Sequence, residues 1–385
     1  MKIVIVGTAS PLRGGIAHFV SLLYTHLSVR HDVEVVTFSR QYPSFLFPGK
    51  SQEEQGDDAH AIPTEQLVDS VNPLTWYAAA RAIIRKKPDL LIFKYWLPFF
   101  GPCFGTIARL VKRATHARVL FICDNIIPHE HRPGDRLFTR YAFGPVDHFI
   151  VQSAAVEREL KAFLPGADFA FVPHPVYEIF GAAMPKEEAR RRLELGAERV
   201  ILFFGYVRKY KGLQTLLDAM PAILRQKPVT LLAVGEFYDS EQPYREKIAQ
   251  LGIDGSVRVH SDYVPNDAVA TYFSAADVVV LPYLSATQSG IVQIAYQFDK
   301  PVIATDVGGL AEVVRDGMTG FIVPPNAPEA LAQAVIRFYD EAKEEPFVQA
   351  VREEKKKYSW DALVQAIERF RGAGTGRTEQ SREDR

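Results

Sequence analysis

Cysteine is scarce in this chain: 385 residues hold only Cys103 and Cys123. Two thiols cannot form a disulfide framework, and they fit a reducing compartment in which a buried cysteine acts as a small apolar side chain. An excess of either charge is also missing, since 45 Lys and Arg meet 46 Asp and Glu for a net charge of −1. That balance excludes a generic nucleic-acid binder. The longest apolar tract, Tyr95 to Ala108, is interrupted by Pro98, Gly101, Pro102 and Gly105 and falls short of the roughly 20 residues that cross a bilayer. The opening MKIVIVGTASPLRGG stops being apolar at Val6, so it lacks the core of a secretory signal and reads as a β-strand. No D-x-D is present, and the His129-Glu130-His131 pair with Asp135 is a weaker metal signal than H-E-x-x-H. No metal site is expected.

Apolar residues make up 47% of the chain, enough for substantial cores, and at roughly 100–200 residues per domain the length suggests two domains. Short β-branched runs alternate with amphipathic stretches, the pattern of buried parallel sheets with crossover helices, so the fold class is α/β. In the first half the expected strands are Lys2–Val6, Val33–Phe38, Leu90–Lys94, Arg118–Ile122, His148–Val151 and Phe169–Val172. Ile16, Phe19, Val20, Leu23 and Leu27 recur at helical spacing after Gly15, which predicts a helix with one apolar face. The rhythm restarts with Arg199–Phe204, Thr230–Val234, Val257–His260, Val278–Leu281, Val302–Ala304 and Phe321–Val323. Pro173, Pro175, Pro185 and the charged run Lys186–Arg192 mark a boundary near residue 180. Two doubly wound domains of this kind are expected to bind ligand in the cleft between them, at the carboxyl ends of their strands. The polar segment 373–385 is expected to be disordered.

Three strand-to-helix loops are candidate sites. The first runs from Gly7 to Gly15, where Gly14 and Gly15 either let an anion approach a helix N-terminus or simply permit close packing. It is not a G-x-G-x-x-G fingerprint, and Ser39 and Arg40 stand where an acid would hold a ribose, so a dinucleotide enzyme is disfavoured. The second, Gly205-Tyr206-Val207-Arg208-Lys209-Tyr210-Lys211-Gly212, sets three cations at one turn, suited to neutralising a diphosphate without a metal. The third, Ser285 to Gly290, suits phosphate or sugar hydroxyls, although Ser289 is equally an ordinary helix cap.

Taken together, FFGYVRKYKGLQTLLDA, LLAVGEFY, ADVVVLPY, KPVIATDVGGLAEVVRDGMTGFIVPP and YSWDAL resemble the donor-binding half of the retaining glycosyltransferases of family four, the glycosyl transferases group 1, which have the GT-B fold. GGIAHF and DNIIPHEH fit the acceptor half less specifically, and the likeness extends from about residue 2 to about residue 370. The resemblance implies two Rossmann-like doubly wound domains facing across a cleft. An acceptor-binding domain would span 1–180 and a nucleotide-sugar-binding domain 181–355, with a helix at 356–372 returning to the first. It implies a hexosyltransferase acting with retention on a nucleotide sugar, with no cofactor and no obligatory metal. By position, Lys211 matches a lysine on the donor phosphate, Gly205 and Gly212 the turn around it, and Gly235-Glu236 a glycine–acid turn near the base. Gly14 and Gly15 match the loop near diphosphate and acceptor, and His129 a histidine near the reacting sugar.

The chain departs from that pattern twice. Tyr206 stands where an arginine usually follows the glycine, and Arg208 is expected to supply the charge. The family's two glutamates eight positions apart are absent, Ala286 and Ile294 or Thr287 and Ala295 occupying their register, which leaves donor contacts to Gln288, Ser289, Gly290 and Gln293. Transfer without paired acids is chemically sound, since a hydrolase needs two carboxylates whereas a nucleoside diphosphate is already a good leaving group. The alternative is a nucleotide-sugar-binding GT-B protein without transferase activity. Finally, 81–118 holds nine Lys and Arg against Asp89 alone, interleaved with Trp96, Leu97, Phe99, Phe100 and Phe104. This reads either as a helix packed on the sheet or as peripheral contact with an anionic membrane. The second reading implies a glycan or lipid-linked acceptor and a cytoplasmic location at the inner membrane face.

Overall fold

The computed structural model describes residues 1–43, 52–53, 61–127, 132–196 and 198–372. His129 and the tail 373–385 therefore lie outside the described residues. Two compact units are present: among the described residues, 1–41, 61–175 and 358–372 form one, and 42–43, 52–53 and 176–357 the other.

The first unit is built on a sheet of β1 (Lys2–Val6), β2 (Asp32–Arg40), β3 (Glu65–Asp69), β4 (Leu90–Tyr95), β5 (Arg118–Cys123), β6 (His148–Val151) and β7 (Phe169–Phe171). All seven run parallel in the order β3-β2-β1-β4-β5-β6-β7. Between them lie α1 (Gly15–Ser28), α2 (Pro73–Lys86), α3 (Gly101–Ala114), α4 (Asp135–Phe143) and α5 (Ala154–Phe163). Right-handed crossovers place α1 on one face and α2 to α5 on the other.

The second unit repeats the plan. After α6 (Lys186–Arg192) come β8 (Arg199–Phe204), α7 (Leu213–Leu224), β9 (Val229–Val234), α8 (Gln242–Leu251), β10 (Val257–His260), α9 (Asn266–Ala275) and β11 (Val278–Leu281). Then follow α10 (Gly290–Gln297), β12 (Val302–Thr305), α11 (Leu310–Val313), β13 (Gly320–Val323), α12 (Pro328–Asp340) and α13 (Glu344–Glu354). The sheet order is β10-β9-β8-β11-β12-β13, again all parallel. The architecture is thus α/β with two Rossmann-like, doubly wound units. α14 (Trp360–Gly372) packs on α1 in the first unit, where Trp360 stacks on the His26 ring at 5.2 Å and Glu368 meets His31 Nε2 at 2.9 Å.

The twelve expected strands form, and β3 is a thirteenth that sequence pattern misses. Its EQLVD has only two apolar residues, and its pairing with β2 is irregular, as suits a polar edge strand. The charged run Lys186–Arg192 is α6 of the second unit, so the division falls at Pro175/Val176, before the run itself.

An aspartate just before a strand recurs as a fastening device. Asp89, Asp147 and Asp277 precede β4, β6 and β11. Their carboxylates accept the backbone N–H groups of Lys2, Val119 and Val200, each at 2.8 Å, while their own N–H groups donate to the carbonyls of the same three residues. Each tie fixes parallel register at the amino end of a strand pair. Asp277 is 4% exposed and also accepts from Lys186 Nζ at 2.7 Å, Arg190 Nη2 at 2.8 Å and the Tyr339 hydroxyl at 3.2 Å. Asp277→Ala leaves the Arg190 guanidinium and the Val200 N–H without their carboxylate and Lys186 with Glu344 alone, and a loss of about 3 kcal/mol or more is expected in urea unfolding. A midpoint unchanged from that of the parent would refute this role.

Candidate functional site

In doubly wound sheets, ligands bind beyond the strand carboxyl ends where the strand order reverses. In the second unit that point lies between β8 and β11, and the loops that follow them carry the second and third candidate constellations. The loop after β8 is folded tightly against its neighbours. A Cβ on Gly212, whose φ is 68°, would collide with the Pro282 carbonyl, and one on Gly235, φ 143°, with the carbonyl of Gly205. These two glycines are required by backbone approach, whatever else they touch. The Tyr210 carbonyl accepts from Leu284 N at 2.6 Å, and Val207 N donates to the Glu236 carbonyl at 2.9 Å, so the loops after β8, β9 and β11 form one platform.

Lys211 sits in the middle of that platform. A Cβ on Gly205 would stand 3.2 Å from its Nζ and 3.1 Å from Ile291 on α10, and the Tyr283 ring lies 5.4 Å from the ammonium. The side chain is half-buried, and among the described residues it makes no hydrogen bond or ion pair. Burial pushes this lysine below its ordinary range, with Tyr210 opposing and Arg208 reinforcing the shift. Arg208 lies 5.1 Å from the Tyr238 ring and 5.4 Å from that of Tyr210, while Lys209 is exposed. Two of the three cations of the turn thus belong to the platform and one to the surface.

α10 begins beside it. Ser289 occupies the cap position without a capping hydrogen bond, and its Oγ pairs with the Tyr283 hydroxyl at 3.2 Å. Burial raises that phenol to about 12. Gly290 faces the Tyr177 ring, which a Cβ would approach to 3.2 Å. Gln288 is half-buried on the preceding loop. Gln293, 2% exposed, keeps its Oε1 without a hydrogen-bond partner. Ala286 and Ile294 are both buried apolar residues, and Glu236, 3% exposed, is a buried carboxylate at the end of β9. The structure therefore gathers Arg208, Lys211, Gly205, Gly212, Gly235, Glu236, Ser289 and Gly290 on one strand edge.

In the first unit Gly14 and Gly15 start α1 after β1, with Gly14 at φ 104° and nothing within 4 Å of an added Cβ. Positive φ, not close packing, accounts for that glycine. Sequence reading missed what lies beside this loop. Lys94, counted among the cations of 81–118, is fully buried at the end of β4. Its ammonium donates to Asp124 Oδ1 at 2.6 Å and Gln152 Oε1 at 2.9 Å and lies 3.6 Å from the Phe19 ring centroid. Burial lowers this lysine, and Asp124 opposes the shift. A lone lysine inside the apolar strand LLIFKY was the available signal. His174, 8% exposed, stands edge-on to Phe19 at 5.2 Å and bonds the Pro175 carbonyl through Nδ1 at 2.7 Å. Cys103 and Cys123 are buried thiols whose acidity burial suppresses. Among the described residues no three His, Cys, Asp or Glu side chains are grouped to hold a metal ion.

Residues 198–341 match the family model described as Glycosyl transferases group 1. The chain is 31% identical over 186 residues to a D-inositol 3-phosphate glycosyltransferase of Corynebacterium glutamicum, covering 46% of this chain and 42% of that protein. It is 27% identical to the putative teichuronic acid biosynthesis glycosyltransferase TuaC of Bacillus subtilis, over 68% of this chain and 66% of that one. The chain spans about half the length of the curated relatives it matches. Among solved structures, Anabaena HepE in complex with UDP-glucose superposes with a TM-score of 0.73 at 20% identity, over 97% of this chain and 100% of that one. The fold is accordingly GT-B.

The buried histidine has a measurable consequence. Burial, with Lys94 adding and Asp124 opposing, lowers His174 from 6.5 to about 4. Between those values the unfolded chain binds a proton that the folded chain refuses, so stability falls as pH drops through the window, by roughly 3 kcal/mol at most. His174→Gln is expected to flatten this part of the acid limb in thermal melts. An acid limb of unchanged slope would show that His174 is not held neutral.

Proposed function

We propose that this chain is a retaining glycosyltransferase that moves a sugar from a nucleotide-sugar donor to a glycan or lipid-linked acceptor, without an obligatory metal. The observation that carries the reading is Lys211: a partly desolvated ammonium with no counter-ion among the described residues, at the strand edge where such sheets take ligands. The donor diphosphate is the missing anion. Arg208 adds a second positive charge beside two tyrosine rings. Gln293 offers a buried amide oxygen to a sugar or ribose hydroxyl, with Gln288, Ser289 and Gly290 beside it, and Gly235-Glu236 lies toward the base.

In the reaction the bond from the anomeric carbon to the diphosphate oxygen breaks while one from that carbon to the acceptor oxygen forms. The acceptor's proton passes to the departing phosphate on the same face of the sugar, which gives retention. Charge grows on the leaving oxygen, and a cation already placed there stabilises the transition state more than the ground state. On the acceptor side the reading assigns Gly14, Gly15 and His129.

A second reading, binding of a nucleotide sugar without turnover, is favoured by Ala286 and Ile294 at the positions where the resemblance expects glutamates. Incubation with UDP-, GDP- and ADP-sugars and mixed glycan acceptors separates the two: transferred sugar supports the first, and ligand-induced thermal stabilisation with no product supports the second.

Lys211→Ala is expected to lower transfer by roughly 10²–10³-fold with a chelator leaving the parent enzyme unaffected. Activity within a few-fold of the parent would displace the diphosphate from this site. Because the lysine titrates below its ordinary range, donor affinity should fall as pH rises through that lowered value, and Lys211→Arg should shift the loss to higher pH. Proton coupling constants of the product will report the donor's own anomeric configuration if retention holds, and the opposite configuration if it does not.

A further inference from the structure

The cations of 81–118 do not form one face. Lys94 is buried, Lys86 is paired with Glu34 and Glu65, and Lys112 with Asp147. Arg118 donates to the Phe370 carbonyl, and Arg109 stacks on Tyr141. What stays exposed is a stripe of α2, where Leu74 (78% exposed) and Tyr77 precede Arg81 and Arg85 at helical spacing, together with Lys87 just past its end and Arg113 at the end of α3.

α4 completes the pattern from outside that segment. Leu137 is 68% exposed, and Phe138 and Tyr141 are exposed beside it, between the exposed Arg136 and Arg140. The helix is seated by Asp135, Thr139, Ala142 and Phe143, all buried, and by the Tyr141 hydroxyl and carbonyl, which bond Thr106 and Arg109 of α3. So α2, α3 and α4 lie side by side on one face of the sheet. Asp135 is the one acid within them, and it is buried. The face ends at α5, where Glu157 and Glu159 bring acids back.

We propose that the α2–α3–α4 face docks the protein on an anionic lipid surface, with Leu137 and its aromatic neighbours entering the headgroup layer and the arginines meeting lipid phosphates. Cations interleaved with single protruding apolar side chains suit such a surface. A protein interface would gather its apolar residues into a core depleted of charge, and a nucleic acid gives a protruding leucine nothing to enter. No helix among the described residues is long and apolar enough to cross a membrane, so the contact is peripheral. Its use in meeting a lipid-linked acceptor rests on the transferase reading.

The test is sedimentation of the whole chain with vesicles of phosphatidylcholine alone or mixed with phosphatidylglycerol. The parent is expected to sediment with the mixed vesicles at low salt, to be released by high salt, and to leave the neutral ones unbound. Leu137→Glu, and separately Arg136→Glu with Arg140→Glu, should weaken the partition roughly tenfold or more, with circular dichroism and nucleotide-dependent thermal shift unchanged. Absence from anionic vesicles at low salt, equal binding to neutral ones, or variants that bind as well as the parent would each overturn the proposal. So would a dimer in light scattering that Leu137→Glu dissolves without any vesicle binding, which assigns the face to a second copy. Nucleotide binding is read separately, so loss of the lipid result leaves the donor site standing, and the reverse.

Discussion

An ammonium that has lost much of its water and, among the described residues, gained no carboxylate is the constraint around which the second unit's strand-end platform is arranged. The platform that holds Lys211 is set by backbone geometry: the loops after β8, β9 and β11 approach one another through carbonyls that leave no room for Cβ atoms at Gly212 and Gly235. That closeness removes solvent from the lysine. The cost of burying the charge is kept moderate by partial exposure, and a bound anion would offset it. Pre-paid desolvation of this kind favours a ligand whose negative charge increases along the reaction coordinate.

Parallel sheets made most of this fold readable. Strands buried on both faces are written as continuous β-branched runs, and twelve of them are visible in the residues alone, with ends matching to within two positions. The aspartate before β4, β6 and β11 is also visible, but its purpose is not: the tie to Lys2, Val119 and Val200 crosses 87, 28 and 77 residues, and nothing local reports it. β3 was hidden for the opposite reason, since an edge strand needs few apolar residues and EQLVD has only Leu67 and Val68 to offer.

Charged residues show where local reading stops. Lys86, Lys94 and Arg85 lie within ten positions, yet one is ion-paired, one is sealed in the first unit's core and one is exposed. Composition counts them alike. Their fates are decided by which strand pairs with which: β4 sits between β1 and β5, so Lys94, one residue before its end, meets Asp124, Gln152 and Phe19 rather than water. The candidate site was readable to the extent that it is built from loop glycines and cations at strand ends, whereas Tyr177, Tyr238 and Tyr283, which shape it, come from separated segments and carry no motif.

The substitution of buried alanine and isoleucine for a pair of acids changes what the site can demand of a donor. Carboxylates bind sugar hydroxyls strongly, but beside a diphosphate they also add negative charge that the cations must offset. With Ala286 and Ile294 in the first register and Thr287 and Ala295 in the second, the transferase reading leaves the diphosphate to Lys211 and Arg208 without those two acids, and the hydroxyl contacts to neutral groups such as the Gln293 amide. A neutral amide holds a hydroxyl less tightly than a carboxylate does. On the transferase reading, binding energy would thereby move from the sugar, where it would be uniform between ground and transition states, to the phosphate, where charge develops. If the proposed transfer holds, such a site would select its donor chiefly by the diphosphate and tolerate change at the sugar ring.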